Sequence, residues 1–260
     1  FAEFPFPVNL LGSVFEKFQF IFYRKIPFIT VSQSTKKDLI DYGISPKNIT
    51  VVKNGLTPPL QQIKNFSREQ NPTIIFLGRI FRAKRIEGII AGFKIVQQKY
   101  PNSKLWIVGS GKNIYESFLK NLVNKQKLTK KITFYGFVED AKKFELLKRA
   151  WLIVATSVRE GWGLTIIEAA SVGTPAVVYN VGGLRDAVKN HQTGLICSKN
   201  TPENLAKNIL KLITNQKLRQ KSGENALKFA KTFSWDKTTE EFLKVIYRAA
   251  RAFSYTSKSL

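Results

Sequence analysis

Two glutamates, Glu160 and Glu168, stand eight positions apart in the stretch EGWGLTIIEAASVGTP (160–175). The second interrupts an apolar run of Leu164, Ile166, Ile167, Ala169, Ala170 and Val172. An unpaired carboxylate removed from water costs several kcal/mol, so Glu168 either faces water or is bound by something. Gly161 and Gly163 of the same stretch fall between an apolar run ending near Thr156 and a helical run starting near Leu164. Free backbone N–H groups and the positive end of a helix dipole meet at such a junction, which suits an anion, and glycine lets a phosphate come close to the backbone. Glycines that only make a tight turn would leave the same anion site available.

A second group of residues fits phosphate chemistry. In GRIFRAK (78–84) Arg79 and Lys84 follow an apolar run directly. Arginine offers a planar fork for phosphate oxygens and lysine a mobile point charge, so the pair suits a diphosphate. In a chain with 42 Lys and Arg, two at one loop are more often merely solvated.

The elements that must position these residues follow from periodicity. PFITVS (27–32) reads as a strand, Ser34 can cap a helix running through Tyr42, and Gly43 stops it; NITVVKNG (48–55) is a further strand ended by the Asn54-Gly55 turn. The polar, proline-bearing segment at 56–72 is the best linker in the chain. After it come candidate strands at 73–78, 104–109, 131–136, 151–156, 175–180 and 194–197. Between the first two, Ile86, Ile89, Ile90, Phe93 and Val96 recur at helical spacing. Nearly continuous apolar strands alternating with helices predict an α/β, Rossmann-like parallel sheet with helices on both faces, and such sheets bind ligands at the carboxyl ends of their strands.

Composition limits the partners. The 42 basic against 18 acidic residues give a formal charge of +24, which favours anionic partners. Lysine is scattered through helices and loops and no nucleic-acid recognition module is present, so nucleotide phosphates or an acidic membrane face fit as well as nucleic acid. One cysteine, Cys197, and one histidine, His191, exclude a disulfide framework and a zinc-type cluster and point to a reducing compartment. His191 lies at a turn and reads as a surface or structural residue, and Cys197 as a small buried filler. No run of about 18 apolar residues is present to span a membrane.

Two familiar phosphate motifs fail. VGSGKN (108–113) has Trp106 where a P-loop needs its upstream glycine and Asn113 where it needs Ser or Thr, and GSGKNI (109–114) lacks the third glycine of a dinucleotide fingerprint.

With GRIFRAK (78–84), LWIVGSG (105–111), FYGFV (134–138) and the two-glutamate stretch running through GTPAVVYNVGGLRD (173–186) to TGLI (193–196), the chain resembles the retaining, GT-B fold glycosyltransferases of the group 1 family. The similarity covers about residues 28–250 in the family's order and spacing, and the last block is its most specific part. The resemblance implies the carboxyl-terminal half of a GT-B fold, with Arg79 and Lys84 holding the diphosphate of a nucleotide-sugar donor and acting as catalytic cations. It implies that Glu160 faces the transferred sugar, that Glu168 accepts hydrogen bonds from the ribose hydroxyls, and that Val138 borders the nucleobase. The backbone of Gly161, Gly163, Leu164 and Thr165 would then meet the distal phosphate. On this reading the ligand pairs the carboxylate of Glu168, the alternative being an exposed or internally paired carboxylate.

The implied reaction moves a hexosyl-type sugar from a nucleotide diphosphate to an acceptor hydroxyl with retention. No D-x-D pair is present, and with Arg79 and Lys84 in place neither metal nor cofactor is expected. The implied organisation is residues 1–57 as the tail of an amino-terminal acceptor domain, 58–72 as a linker, 73–232 as the nucleotide-sugar domain and 233–260 as a carboxyl-terminal crossover helix and tail. The chain starts at Phe1 and contains no methionine, so most of the acceptor domain is expected to be missing and the isolated chain inactive. Expected partners are a nucleotide sugar, a glycan or lipid-linked acceptor and an anionic membrane surface, with Phe18, Phe22, Tyr23, Arg24 and Lys25 as the membrane candidates. The expected location is cytoplasmic, including its membrane face. No nucleic acid is expected. The alternatives are a basic nucleic-acid-binding protein or a catalytically silent interaction protein on a Rossmann-like core.

Overall fold

The computed structural model describes residues 19–57 and 66–256, together with Gly12 and Phe15. The chain divides into two compact units, one of Phe1–Thr57 with Phe233–Leu260 and one of Pro58–Thr232.

In the first unit, β1 (Phe28–Thr30) and β2 (Ile49–Val51) pair in parallel, Phe28 opposite Ile49 and Thr30 opposite Val51. The helix α1 (Gln33–Asp41) makes the crossover that a parallel pair requires. Its cap is Ser32, not the Ser34 that composition suggests, because the Ser32 side chain accepts from the Thr35 N–H at 3.1 Å. At its far end Gly43 takes a positive φ of 89°. The last helix of the chain, Trp235–Thr256, belongs to this unit. Thr238 Oγ1 donates to the Lys53 carbonyl at 2.8 Å, and a Cβ on Gly55 would lie 2.4 Å from the Trp235 nitrogen. Among the membrane candidates Phe22 and Tyr23 are exposed, while Phe18 lies outside the described residues.

The second unit is built on six parallel strands, β3 (Thr73–Leu77), β4 (Lys104–Val108), β5 (Ile132–Gly136), β6 (Leu152–Ala155), β7 (Ala176–Val178) and β8 (Gly194–Ile196), in the order β5-β4-β3-β6-β7-β8. Helices α2 (Ile86–Lys99), α3 (Asn113–Lys125), α4 (Asp140–Arg149), α5 (Leu164–Ser171), α6 (Leu184–Ala187), α7 (Pro202–Thr214) and α8 (Gln216–Ala230) complete it. The expected α/β Rossmann-like sheet is therefore present, with each strand slightly shorter than its apolar run.

Alternation along the strands explains why both faces are covered. Ile74, Phe76, Leu105, Ile107, Leu152, Val154 and Val177 share one cluster with apolar residues of α2, α3 and α7. The intervening Ile75, Trp106, Ile153 and Val178 are also buried but lie outside that cluster, as a period of two demands when the opposite face is packed as well. Cys197 is fully buried and joins the first cluster. His191 is exposed, in a turn with φ 63°.

The segment at 58–72 departs from a free linker at its carboxyl end, while residues 58–65 lie outside the described residues. Arg68 donates to Thr174 Oγ1 at 2.6 Å and to the Gly173 carbonyl at 2.5 Å, and also to the carbonyl of Ala150. Glu69 takes a guanidinium bond from Arg149 at 2.8 Å and accepts the Trp151 indole at its carbonyl, at 2.7 Å. Arg68 thus caps the carboxyl ends of both α4 and α5, where helix dipoles favour a cation.

Candidate donor site at the strand junction

The chain leaves β3 toward β4 on one side and leaves β6 toward β7 on the other. The loops that follow these two neighbouring strands therefore diverge and open a crevice at the carboxyl edge of the sheet, where ligands of such folds bind. Each loop carries predicted site residues.

The first loop holds Arg79 and Lys84. Phe81 gathers them: the Arg79 guanidinium lies 5.1 Å and the Lys84 ammonium 5.6 Å from the centre of its ring. Arg79 is exposed and Lys84 half-buried. The loop is fixed from the β4 side by Gly109, at φ 126°, where a Cβ would stand 2.0 Å from the Gly78 carbonyl oxygen. Ile80 adds a bond from its N–H to the Ser110 carbonyl at 2.8 Å. This is the structural meaning of VGSG: close backbone approach between two loops rather than a phosphate cradle.

The second loop holds Glu160. Buried Thr156, at its start, donates to the carbonyls of Lys84 at 2.8 Å and Arg85 at 3.0 Å, and the Val158 N–H reaches the Ala83 carbonyl at 2.8 Å. These bonds tie the two loops together and explain the ion pair between Lys84 Nζ and Glu160 Oε1, both side chains about one-fifth exposed (19% and 22%). Ser157 Oγ donates to the same carboxylate oxygen at 2.9 Å. From behind, Gly183 sits at φ 75° with its Cβ position 2.2 Å from the Glu160 carbonyl oxygen, so only glycine lets the 181–183 turn support this loop.

Gly163, in the left-handed region at φ 72°, turns the chain into α5. Its carbonyl accepts the first helical bond, from the Ile166 N–H at 2.9 Å. The N–H groups of Leu164 and Thr165 open the helix, where no intrahelical acceptor exists for them. Gly161 and Leu164 are exposed and Gly163 is buried. Val138, half-buried, stands in the loop between β5 and α4.

Glu168 is paired within the chain, the alternative to a ligand partner, though the residue pattern does not name the partner. Its Oε1 accepts from Lys143 of α4 at 2.8 Å, so the chain itself supplies one partner for the carboxylate. Lys143 also donates to Asp140 Oδ1 at 2.8 Å. Burial pulls its pKa down, but the bonds to Asp140 and Glu168 outweigh that and hold it above the ordinary lysine value. The structure therefore pairs Lys84 with Glu160 and sets Arg79 on the same Phe81 ring as Lys84, and it places Glu168 one turn into the helix that follows the Glu160 loop. Thr156, Lys143 and Gly183 were not marked by the sequence, because each acts on a neighbour far away in the chain; Phe81 and Ser157 act on residues two or three positions away but match no motif that would single them out.

Residues 59–229 match the family described as glycosyl transferases group 1. The chain belongs to that family. An uncharacterized glycosyltransferase of Methanocaldococcus jannaschii is 29% identical over 237 residues, covering 86% of this chain and 60% of the relative. A glycogen synthase of Mycobacterium tuberculosis is 27% identical over 226 residues, covering 86% and 54%. The chain thus spans little more than half the length of these curated relatives. Among solved structures, HepE of Anabaena in complex with UDP superposes with a TM-score of 0.75 at 20% identity, covering 85% of this chain and 64% of that one. The likeness establishes the Rossmann-like half of the GT-B glycosyltransferase fold. Among the described residues no helix is long and apolar enough to cross a membrane.

Proposed function

We propose that this chain carries the donor half of a retaining, metal-independent glycosyltransferase that moves a hexosyl group from a nucleotide diphosphate sugar to an acceptor hydroxyl. The observation that carries the reading is the Lys84–Glu160 ion pair at the strand junction, with Arg79 on the same Phe81 ring as Lys84 and Glu160 on the loop that leads into α5. In this reading Arg79, Lys84 and the N–H groups of the 163–165 turn hold the diphosphate. As the nucleotide departs, negative charge collects on its distal phosphate, and fixed cations and N–H dipoles aimed there stabilise the transition state more than the ground state. Glu160 contacts the sugar, Glu168 the ribose hydroxyls, and Val138 borders the base. The UDP bound by HepE supports a nucleotide donor.

The acceptor, a glycan or a lipid-linked saccharide, would be held by the part of the relatives' length that this chain does not span. Positioning a second reactant is worth about 7 to 11 kcal/mol of barrier, so the chain alone binds donor and transfers essentially nothing. Exposed Ile21, Phe22, Tyr23 and Ile26 beside Arg24 and Lys25 support a seat on an anionic membrane face in the cytoplasm. A thermal-shift panel of uridine, guanosine and adenosine diphosphate sugars tests the donor assignment. One base series should stabilise the chain in a saturable way, and no shift with any of them would rule the assignment out.

A further inference from the structure

Lys143 and Glu168 meet across two helices that are already held together elsewhere. Arg68 fixes the carboxyl ends of α4 and α5 through the carbonyls of Leu147, Ala150 and Gly173, and Thr174 Oγ1 adds a bond to the Leu147 carbonyl at 2.6 Å. The ion pair is thus not needed to join the helices. What it does is fix one carboxylate oxygen. Lys143 is itself held on three sides, by Glu168 Oε1, by Asp140 Oδ1 and by the Phe144 ring, whose centre lies 4.8 Å from the ammonium. Its side chain is 17% exposed and that of Glu168 14%, so neither is free to swing in solvent. Among the described residues nothing bonds Glu168 Oε2, which leaves one oxygen with two lone pairs for an outside donor.

We propose that Lys143 is a positioning residue for nucleotide recognition: by holding Oε1 it turns Oε2 of Glu168 toward the ribose hydroxyls and sets the preference for ribonucleotides over deoxyribonucleotides. This rests on the donor-site reading above. A glutamate side chain without such an anchor samples several rotamers, and each hydrogen bond to a ligand must then first pay for ordering it. A lysine fixed by two carboxylates and a ring removes that cost. A charged acceptor also makes the stronger bond to a hydroxyl.

The test is calorimetry on the 260-residue chain with uridine, guanosine and adenosine diphosphates and their 2′-deoxy counterparts. For the base that binds best, the wild type should prefer the ribonucleotide by about tenfold to a hundredfold, the scale of a hydrogen bond to a charged acceptor. Lys143→Met should reduce this ratio to within about threefold while leaving binding of the deoxynucleotide little changed, and Lys143→Arg should restore it. Lys143→Gln serves if the methionine variant does not fold. A full wild-type ratio in a folded Lys143→Met or Lys143→Gln variant, with the ratio lost in Glu168→Gln, would overturn the positioning role and spare the donor site. A wild type that fails to discriminate, with no response to Glu168→Gln, would overturn the ribose assignment and this inference together.

Discussion

Lys84 and Glu160 lie 76 positions apart in the chain, and their side chains form an ion pair at the junction of β3 and β6. The pair links the two sides of the proposed site before any ligand arrives. In the proposed donor site an incoming diphosphate would exchange one anionic partner of Lys84 for another, so the cation would need little reordering. Desolvating it a second time is likewise unnecessary, since it is already mostly covered.

From this follows a selective effect of removing the cations. Arg79→Met or Lys84→Met should weaken binding of a nucleoside diphosphate by about 1.5 to 3 kcal/mol, the value of a charge-assisted bond, and leave binding of the free nucleoside nearly unchanged. Lys125→Met and Lys127→Met should do little to either. Lys125 ends α3 and Lys127 lies beyond it at φ 57°, both exposed. Equal losses at all four positions, measured by calorimetry, would reduce the effect to the long-range field of a +24 chain.

Arg68 yields a stability prediction. Burial, helped by the neighbouring Arg219 charge, lowers its pKa to about 10, and the residue is half-buried. Its bonds satisfy carbonyls at the ends of two helices. Arg68→Met should leave these acceptors unpaired and cost about 1 to 3 kcal/mol for each that water does not reach. Denaturant unfolding checks this, and a loss below about 0.5 kcal/mol, the range of ordinary surface changes, would show that the segment is not anchored as described.

The fold should lose stability as pH rises past about 9, below the range where Arg68, with its pKa lowered to about 10, acts with the opposite sign. Burial raises the Cys197 thiol to about 11 and the Tyr179 phenol to about 12, so between the ordinary and the shifted values the folded chain keeps protons that the unfolded chain has lost. Stability then falls as pH rises. Lys143 has the same sign: its pKa is raised, so its contribution is full below the ordinary lysine value and is lost as pH climbs through the shifted one. The denaturation midpoint should therefore decline from about pH 9 upward, and Cys197→Ala should flatten the first part of that decline. A midpoint level between about pH 9 and 10, below the range where Arg68 titrates, would contradict the assignment. Below pH 9 the thiol should resist alkylation until the chain is unfolded.

The sheet was legible because its signal is local. Runs such as TIIFL and LWIV declare buried parallel strands by composition alone, and their order in the chain leaves few topologies. Arg79, Lys84, Gly163 and Glu160 were legible as site candidates for the same reason: they sit at the ends of those runs. Lys143 was not, since its place on a polar, lysine-rich helix reads as solvated surface. Only folding brings it to Glu168, 25 positions away. Gly109 and Gly183 were visible as glycines but not as contacts, because the backbone each one meets, at Gly78 and at Glu160, comes from a different loop. The cap of α1 failed for a smaller reason. Ser32, Ser34 and Thr35 can all cap, and the choice among them is set by where β1 ends.

The most direct test of the central claim is a crystal structure of the chain with a nucleoside diphosphate. The diphosphate should lie between the 79–84 loop and the first turn of α5, with Lys84 shifted from Glu160 onto a phosphate oxygen. Arg79 and the N–H groups of Leu164 and Thr165 should be within about 3.2 Å of phosphate oxygens. A diphosphate bound elsewhere on this basic surface, with the Lys84–Glu160 pair undisturbed, would contradict the account.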